Sequence, residues 1–137
     1  MKEHRYVFNV EWGDTDAAGI VFSPNFYKWM DQADHAFFKS LGFSVLELVR
    51  NEKIGIPLLE SKCTFKRPLL FEDQVEIYTK VLDLTEKVIT FEHVFIKEGE
   101  LAAEGYNTRI FASIDGKLKS VPIPPEIKEA IIKGGFI

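Results

Sequence analysis

Residues 14–26 read Asp-Thr-Asp-Ala-Ala-Gly-Ile-Val-Phe-Ser-Pro-Asn-Phe, with Trp12-Gly13 just before them. Two carboxylates, Asp14 and Asp16, stand ahead of Gly19 and ahead of a helix start. Ser23 has the side chain of an N-cap, and Pro24 suits the first helical position, where its missing N–H costs nothing. Free backbone N–H groups at such a start, around Phe22 and Ser23, can hold a carbonyl oxygen as negative charge builds on it. A carboxylate nearby can act as nucleophile or general base. The same spacing also fits a plain turn, because aspartate favours such loops. Gly19 suits either a tight turn or a close approach of backbone to a ligand.

The helix that follows runs from Pro24 to Leu41, and Gly42 stands where a helix end wants positive φ. Phe26, Met30, Ala33, Phe37 and Leu41 recur at helical spacing as one apolar stripe. A second, mixed strip carries Tyr27, Asp31, Asp34 and Phe38, which predicts a helix wrapped by strands and covered in part by a partner subunit. Upstream, alternation over residues 5–12 predicts a short strand. Downstream, residues 44–53 suggest a short helix with Val45, Leu46, Leu48 and Val49 inward. Period-two patterning then predicts strands over 56–66, 74–83, 87–97 and 101–114. Glu98-Gly99-Glu100 reads as a tight turn, Asp115-Gly116 as a type I′ hairpin turn, and residues 125–133 as a terminal helix. One long helix followed by long antiparallel strands is α+β.

At 137 residues the chain fits one domain, residues 1–137, able to bury a real core. Hydrophobic residues at 46% and charged residues at 28% are ordinary for a soluble protein. A net charge of −4 argues against nucleic acid as a partner. Lys62, Lys66, Arg67 and Lys80 form a local basic group suited to a phosphorylated ligand or to plain solvation. The single cysteine, Cys63, excludes an internal disulfide and fits a reducing compartment. No apolar run approaches the ~20 residues of a membrane span, and the N-terminus lacks a signal-peptide core. A cytoplasmic protein is expected. Three scattered histidines and one cysteine give no metal pattern. Ser23 and Ser61 lack a nucleophile-elbow context, and no Gly-rich phosphate loop is present. A paired general-base role for His35 and His93 lacks any flanking motif. Twelve phenylalanines exceed what one helix on one small sheet needs, which suggests either an oligomer or simply a Phe-rich core.

Trp12-Gly13-Asp14-Thr15-Asp16, Ala18-Gly19-Ile20-Val21 and Asn25-Phe26 resemble the signature of the 4-hydroxybenzoyl-CoA thioesterase family. Phe65-Lys66-Arg67-Pro68 and Phe71-Glu72-Asp73-Gln74-Val75 are similar to its later landmarks. The resemblance implies a hotdog fold, a long central helix wrapped by a curved antiparallel sheet, assembled as a homodimer or homotetramer. It implies an acyl-CoA thioesterase with Asp16 catalytic and the Phe22–Ser23 backbone as oxyanion hole. Asp31, on the central helix, matches an acid used by sister families, with Asp34 a weaker substitute. Gly19, Arg67 and Lys87 are the implied contacts to coenzyme A, which is part of the substrate, so no separate cofactor is expected. Lys62, Lys66 and Arg109 are further candidates at the pocket mouth. Other readings are an acyl-carrier-protein thioesterase, a hydratase using Asp31 and His35, and a non-catalytic acyl-CoA binder.

Overall fold

A computed structural model describes residues 1–137. Five antiparallel strands form the main sheet in the order β1-β4-β5-β6-β3, with β1 His4–Asn9, β3 Leu58–Phe65, β4 Gln74–Leu84, β5 Val88–Lys97 and β6 Glu100–Ile110. Helix α1, Pro24–Ser40, lies across the inner face. A small second sheet joins β2 Ile54–Gly55, β7 Ala112–Ser113 and β8 Lys119–Ser120, and α3 spans Pro125–Lys133. This is the α+β hotdog architecture expected from the sequence.

β1 stops short of the predicted residue 12 because Trp12–Asp14 winds into a 3-10 turn. Helix α1 ends as its sequence asks. Gly42 has φ +91°, its N–H donates to the Lys39 carbonyl, and the Phe43 N–H reaches back to the Phe38 carbonyl. That pair of bonds is the Schellman motif, with Phe43 and Phe38 as its apolar contact. Ser44 then caps a short helix, α2 Val45–Glu47, which widens into a π-helical turn at Leu48–Glu52. Leu46, expected inward, is exposed there.

Glu98 and Gly99 both have positive φ and join Lys97 to its partner Glu100, a two-residue type I′ turn. Asp115-Gly116 is not such a turn. Only Gly116 has positive φ, and five residues separate the paired Ser113 and Lys119. The Ile114 N–H donates instead to the Lys53 carbonyl at 2.8 Å, drawing the chain toward β2 before it can turn tightly.

The core has two apolar halves along α1. Phe26, Trp29, Met30 and Ala33 pack with Val75, Ile77 and Phe95, while Phe37 and Phe38 pack with Phe91, Phe111, Ile127 and Phe136. Seven of the twelve phenylalanines are buried, so the core absorbs most of the surplus. Helix and sheet approach closely at Gly105, where a Cβ would fall 2.7 Å from the Met30 sulfur on α1 and 2.6 Å from the Lys62 carbonyl on the neighbouring strand. The mixed strip on α1 does not form one outward face: Asp34 and Phe38 are buried, whereas Tyr27 and Asp31 face outward.

Candidate active site

The Asp14–Phe22 loop is a miniature hairpin. Asp14 O accepts from Phe22 N–H at 2.9 Å, Thr15 and Val21 bridge, and Asp16 N–H donates to the Ile20 carbonyl at 2.9 Å. The tip is a tight turn in which the Gly19 N–H returns to the Asp16 carbonyl at 3.0 Å. Gly19 has φ +80°, so the turn itself requires glycine; a Cβ there would meet nothing.

The two carboxylates of this loop are engaged differently. Asp14 Oδ2 accepts the Glu11 N–H at 2.8 Å and closes the 3-10 turn. Asp16 Oδ1 accepts the Ala18 N–H at 2.9 Å, while its Oδ2 has no partner in the chain. Asp16 is exposed.

The helix start departs from expectation at two points. Ser23 is already helical, with φ −53° and ψ −36°, and its hydroxyl caps nothing. The Phe22 N–H is occupied by the Asp14 carbonyl and is not free for an oxyanion. The Ser23 N–H, by contrast, has no acceptor in the chain. It sits where the positive end of α1 opens to solvent.

Ser23 borders a groove of about 520 Å³ between this loop and the end of β3. Ile20, Val21, Phe26, Phe65 and Leu69 make its apolar wall, and Lys66 and Arg67 its rim. Arg67 is paired with Glu100 at 2.8 Å; Lys66 has no ion-pair partner. Lys87 is not brought here. It precedes β5 by one residue and lies near Ser120, whereas the groove adjoins the far end of that strand, ~23 Å away at strand rise. Lys80 does not join Lys66 and Arg67, since β3 and β4 are separated by β5 and β6 and Lys80 pairs with Glu3; Lys62 stands on β3 itself but does not line the groove.

A buried polar cluster divides the two halves of the core. Asp34 accepts from His93 Nε2 at 2.6 Å, Asn107 Nδ2 at 2.8 Å and Arg109 Nε at 2.7 Å. His93 Nδ1 meets Thr79 Oγ1 at 2.8 Å, and Ser61 donates to Asn107 Oδ1 at 2.6 Å. Arg109 continues to the Ile56 carbonyl at 2.9 Å and to Asp31 Oδ1 at 2.6 Å. Arg109, proposed from sequence for a phosphate, is therefore consumed inside the fold at 4% exposure. His35 lies 3.4 Å from Asp31 and His93 is fully buried on Asp34, so the two histidines form no pair.

Sequence reasoning missed this cluster, although a signal was present. Thr79 falls between Ile77 and Val81, and His93 between Phe91 and Phe95, at the inward parity of strands whose inward neighbours are apolar. A polar residue at such a position needs a partner when buried.

The thioesterase-like superfamily model matches residues 10–131 of this chain. A solved gentisyl-coenzyme A thioesterase is 47% identical with a TM-score of 0.86, covering 93% of this chain and 98% of its own. 4-Hydroxybenzoyl-CoA thioesterase from Pseudomonas sp. strain CBS-3 superposes with a TM-score of 0.88 at 25% identity, covering 95% of this chain and 99% of its own. A putative esterase from Aquifex aeolicus (strain VF5) is 30% identical over 126 residues, 92% of this chain and 95% of its own.

Proposed function

Because this chain belongs to the thioesterase-like superfamily and is an acyl-CoA thioester hydrolase, we propose that hydrolysis runs in the groove beside Ser23, with Asp16 as the reacting carboxylate. One observation carries this reading: within one short loop and the helix start it leads to, a carboxylate oxygen and a backbone N–H are each left unpaired. Asp16 Oδ2 and the Ser23 N–H are both without partners, while the neighbouring Asp14 carboxylate and Phe22 N–H are both engaged.

The chemistry follows from these two groups. The thioester carbonyl oxygen accepts the Ser23 N–H, and the positive end of α1 favours the charge that gathers there. Asp16 Oδ2 then either attacks the carbonyl carbon or takes a proton from an attacking water. Direct attack gives a mixed anhydride and releases the coenzyme A thiolate, which takes up a proton; water then cleaves the anhydride. Both routes consume one water and yield a free acid and a thiol. Asp31 is the weaker candidate, since Arg109 already holds one of its oxygens.

The apolar wall of the groove suits an aromatic acyl group. Phe26 and Phe65 meet edge to face at 4.9 Å there, leaving ring edges and faces for a further ring. The relatives named for gentisyl-CoA and 4-hydroxybenzoyl-CoA support the same class. In this reading Lys66 on the rim meets the phosphates of coenzyme A, joined by Arg67 if it leaves Glu100; Lys87 would need to reach the groove from another subunit. No separate cofactor enters this scheme.

The test is thiol release from a panel of aromatic and aliphatic acyl-CoAs by wild type, Asp16→Asn and Asp31→Asn. Asp16→Asn should lower kcat at least ~10²-fold, the scale of acid–base catalysis, with little change in KM. Asp31→Asn should cost far less. The reverse ranking would move the chemistry onto α1.

A further inference from the structure

We propose that Asn25 is a positioning residue for hydrolysis: from the first turn of α1, its side-chain amide fixes where the Ser23 N–H stands relative to the Asp16 carboxylate. The inference rests on the roles of Asp16 and Ser23 given above.

Asn25 Nδ2 donates to the Asp14 carbonyl at 2.9 Å. That same oxygen accepts the Phe22 N–H at 2.9 Å, so it is the point where the base of the loop hairpin and the start of the helix are tied together. Beyond this oxygen, the hairpin is closed on itself by the Thr15–Val21 bridge and the Asp16–Ile20 bond. It is a small rigid unit with Asp16 near its tip. It is held to α1 by the chain through Phe22 and Ser23 and by the Asn25 amide. The Val21 N–H ties the hairpin to the Leu69 carbonyl rather than to α1. Without the amide, the unit can pivot about the Phe22–Ser23 link, moving Asp16 against the Ser23 N–H. A misplacement of about 1 Å is enough to cost ~10² in rate.

The orientation of the amide is fixed by chemistry. The Asp14 carbonyl can only accept, so the Asn25 NH₂ must face it, and an oxygen in its place would set acceptor against acceptor. Asn25→Asp is therefore the informative substitution. It keeps the shape, removes the donor, and places a carboxylate in the first turn of a helix, where negative charge is favoured. Stability and catalysis should then separate. A residue that served only the helix would show the variant equal to or better than wild type in both.

The experiment measures kcat, KM and thermal unfolding for Asn25→Asp, Asn25→Ala and Asp16→Asn on an aromatic acyl-CoA. Both Asn25 variants should lose ~10- to 10²-fold in kcat with KM within about threefold. Their unfolding temperatures should stay within about 4 °C of wild type. Wild-type kcat in Asn25→Asp overturns the proposal, as does failure of both Asn25 variants to fold, which would make the residue structural. Full activity in Asp16→Asn would sink the underlying mechanism instead. An inactive Asp16→Asn beside a fully active Asn25→Asp sinks only the role of Asn25.

Discussion

Asp14 is engaged within its own loop, its carboxylate by the Glu11 N–H and its carbonyl by Phe22 and Asn25. Asp16, two residues later, keeps one carboxylate oxygen free. The sequence pattern alone presents them as equals, because the difference depends on a 3-10 turn that it does not announce. The family signature pointed to Asp16, and the free Oδ2 is what the geometry adds. Cys63 shows the reverse case, a residue whose chemistry is suppressed by its surroundings. Its side chain faces the core cluster around Phe26 and Met30, and burial raises the thiol from an ordinary 9.0 to about 11. The folded chain then keeps its proton up to about pH 11, while the unfolded chain releases it near 9.0. The unfolded state binds fewer protons across that window, so stability should fall as pH rises through it. Urea unfolding of wild type and Cys63→Ala between pH 8 and 11 checks this: wild type should lose more stability over that range. Parallel curves would show that the thiol is not held protonated.

At the scale of elements, the long helix, its Gly42 end, the four long strands and the terminal helix were all legible, because periodicity and capping residues report them directly. The edges were less so. Leu46 was expected inward, and the Asp115-Gly116 pair reads as a tight turn until one knows that Ile114 pairs with Lys53. The join between helix and sheet was the part least visible in sequence. Asp34 reads in sequence as one residue of the mixed strip and a weaker substitute for Asp31, yet it is fully buried and gathers donors from β5 and β6. Nothing local in Gln32-Ala33-Asp34-His35 marks it. The mark lies in the inward parity of His93, Asn107 and Arg109, which matters only once strands and helix are assembled. Asp34→Asn should destabilise the protein by at least ~3 kcal/mol in urea unfolding, because it leaves Arg109 and Asn107 facing an amide with a single acceptor oxygen. Replacing several members together with apolar residues can be far milder, since the whole charged cluster then disappears. A loss under ~1 kcal/mol in Asp34→Asn would mean that packing alone seats the helix.

At the scale of the whole molecule, one group of exposed apolar side chains gathers at one end. Trp12, Ile20, Phe22, Phe65, Leu70 and Phe71 all lie around the signature loop and the groove beside Ser23, and Trp12 stacks edge-on against Phe71 at 5.4 Å. The sheet also leaves β3 as an edge strand, with Leu58 and Leu59 exposed along it. Unpaired, apolar edges invite pairing, and contiguous apolar patches are uncommon on monomers. The count of phenylalanines was the wrong argument for assembly, because seven of them fill the core; their remaining placement is a better one. A second copy of the chain is the occupant that would both pair the β3 edge and cover the open groove. Light scattering at micromolar concentration should therefore give a mass of two or four chains of 15.7 kDa. Leu59→Lys, which sets a charge on the free edge without touching the groove lining, should shift that mass toward a single chain. Activity per chain should fall with it, because Asp16 and the groove then stand open to water. A wild-type protein of one 15.7 kDa species with full activity would show that the site is complete within one chain, and that the apolar end serves something other than assembly.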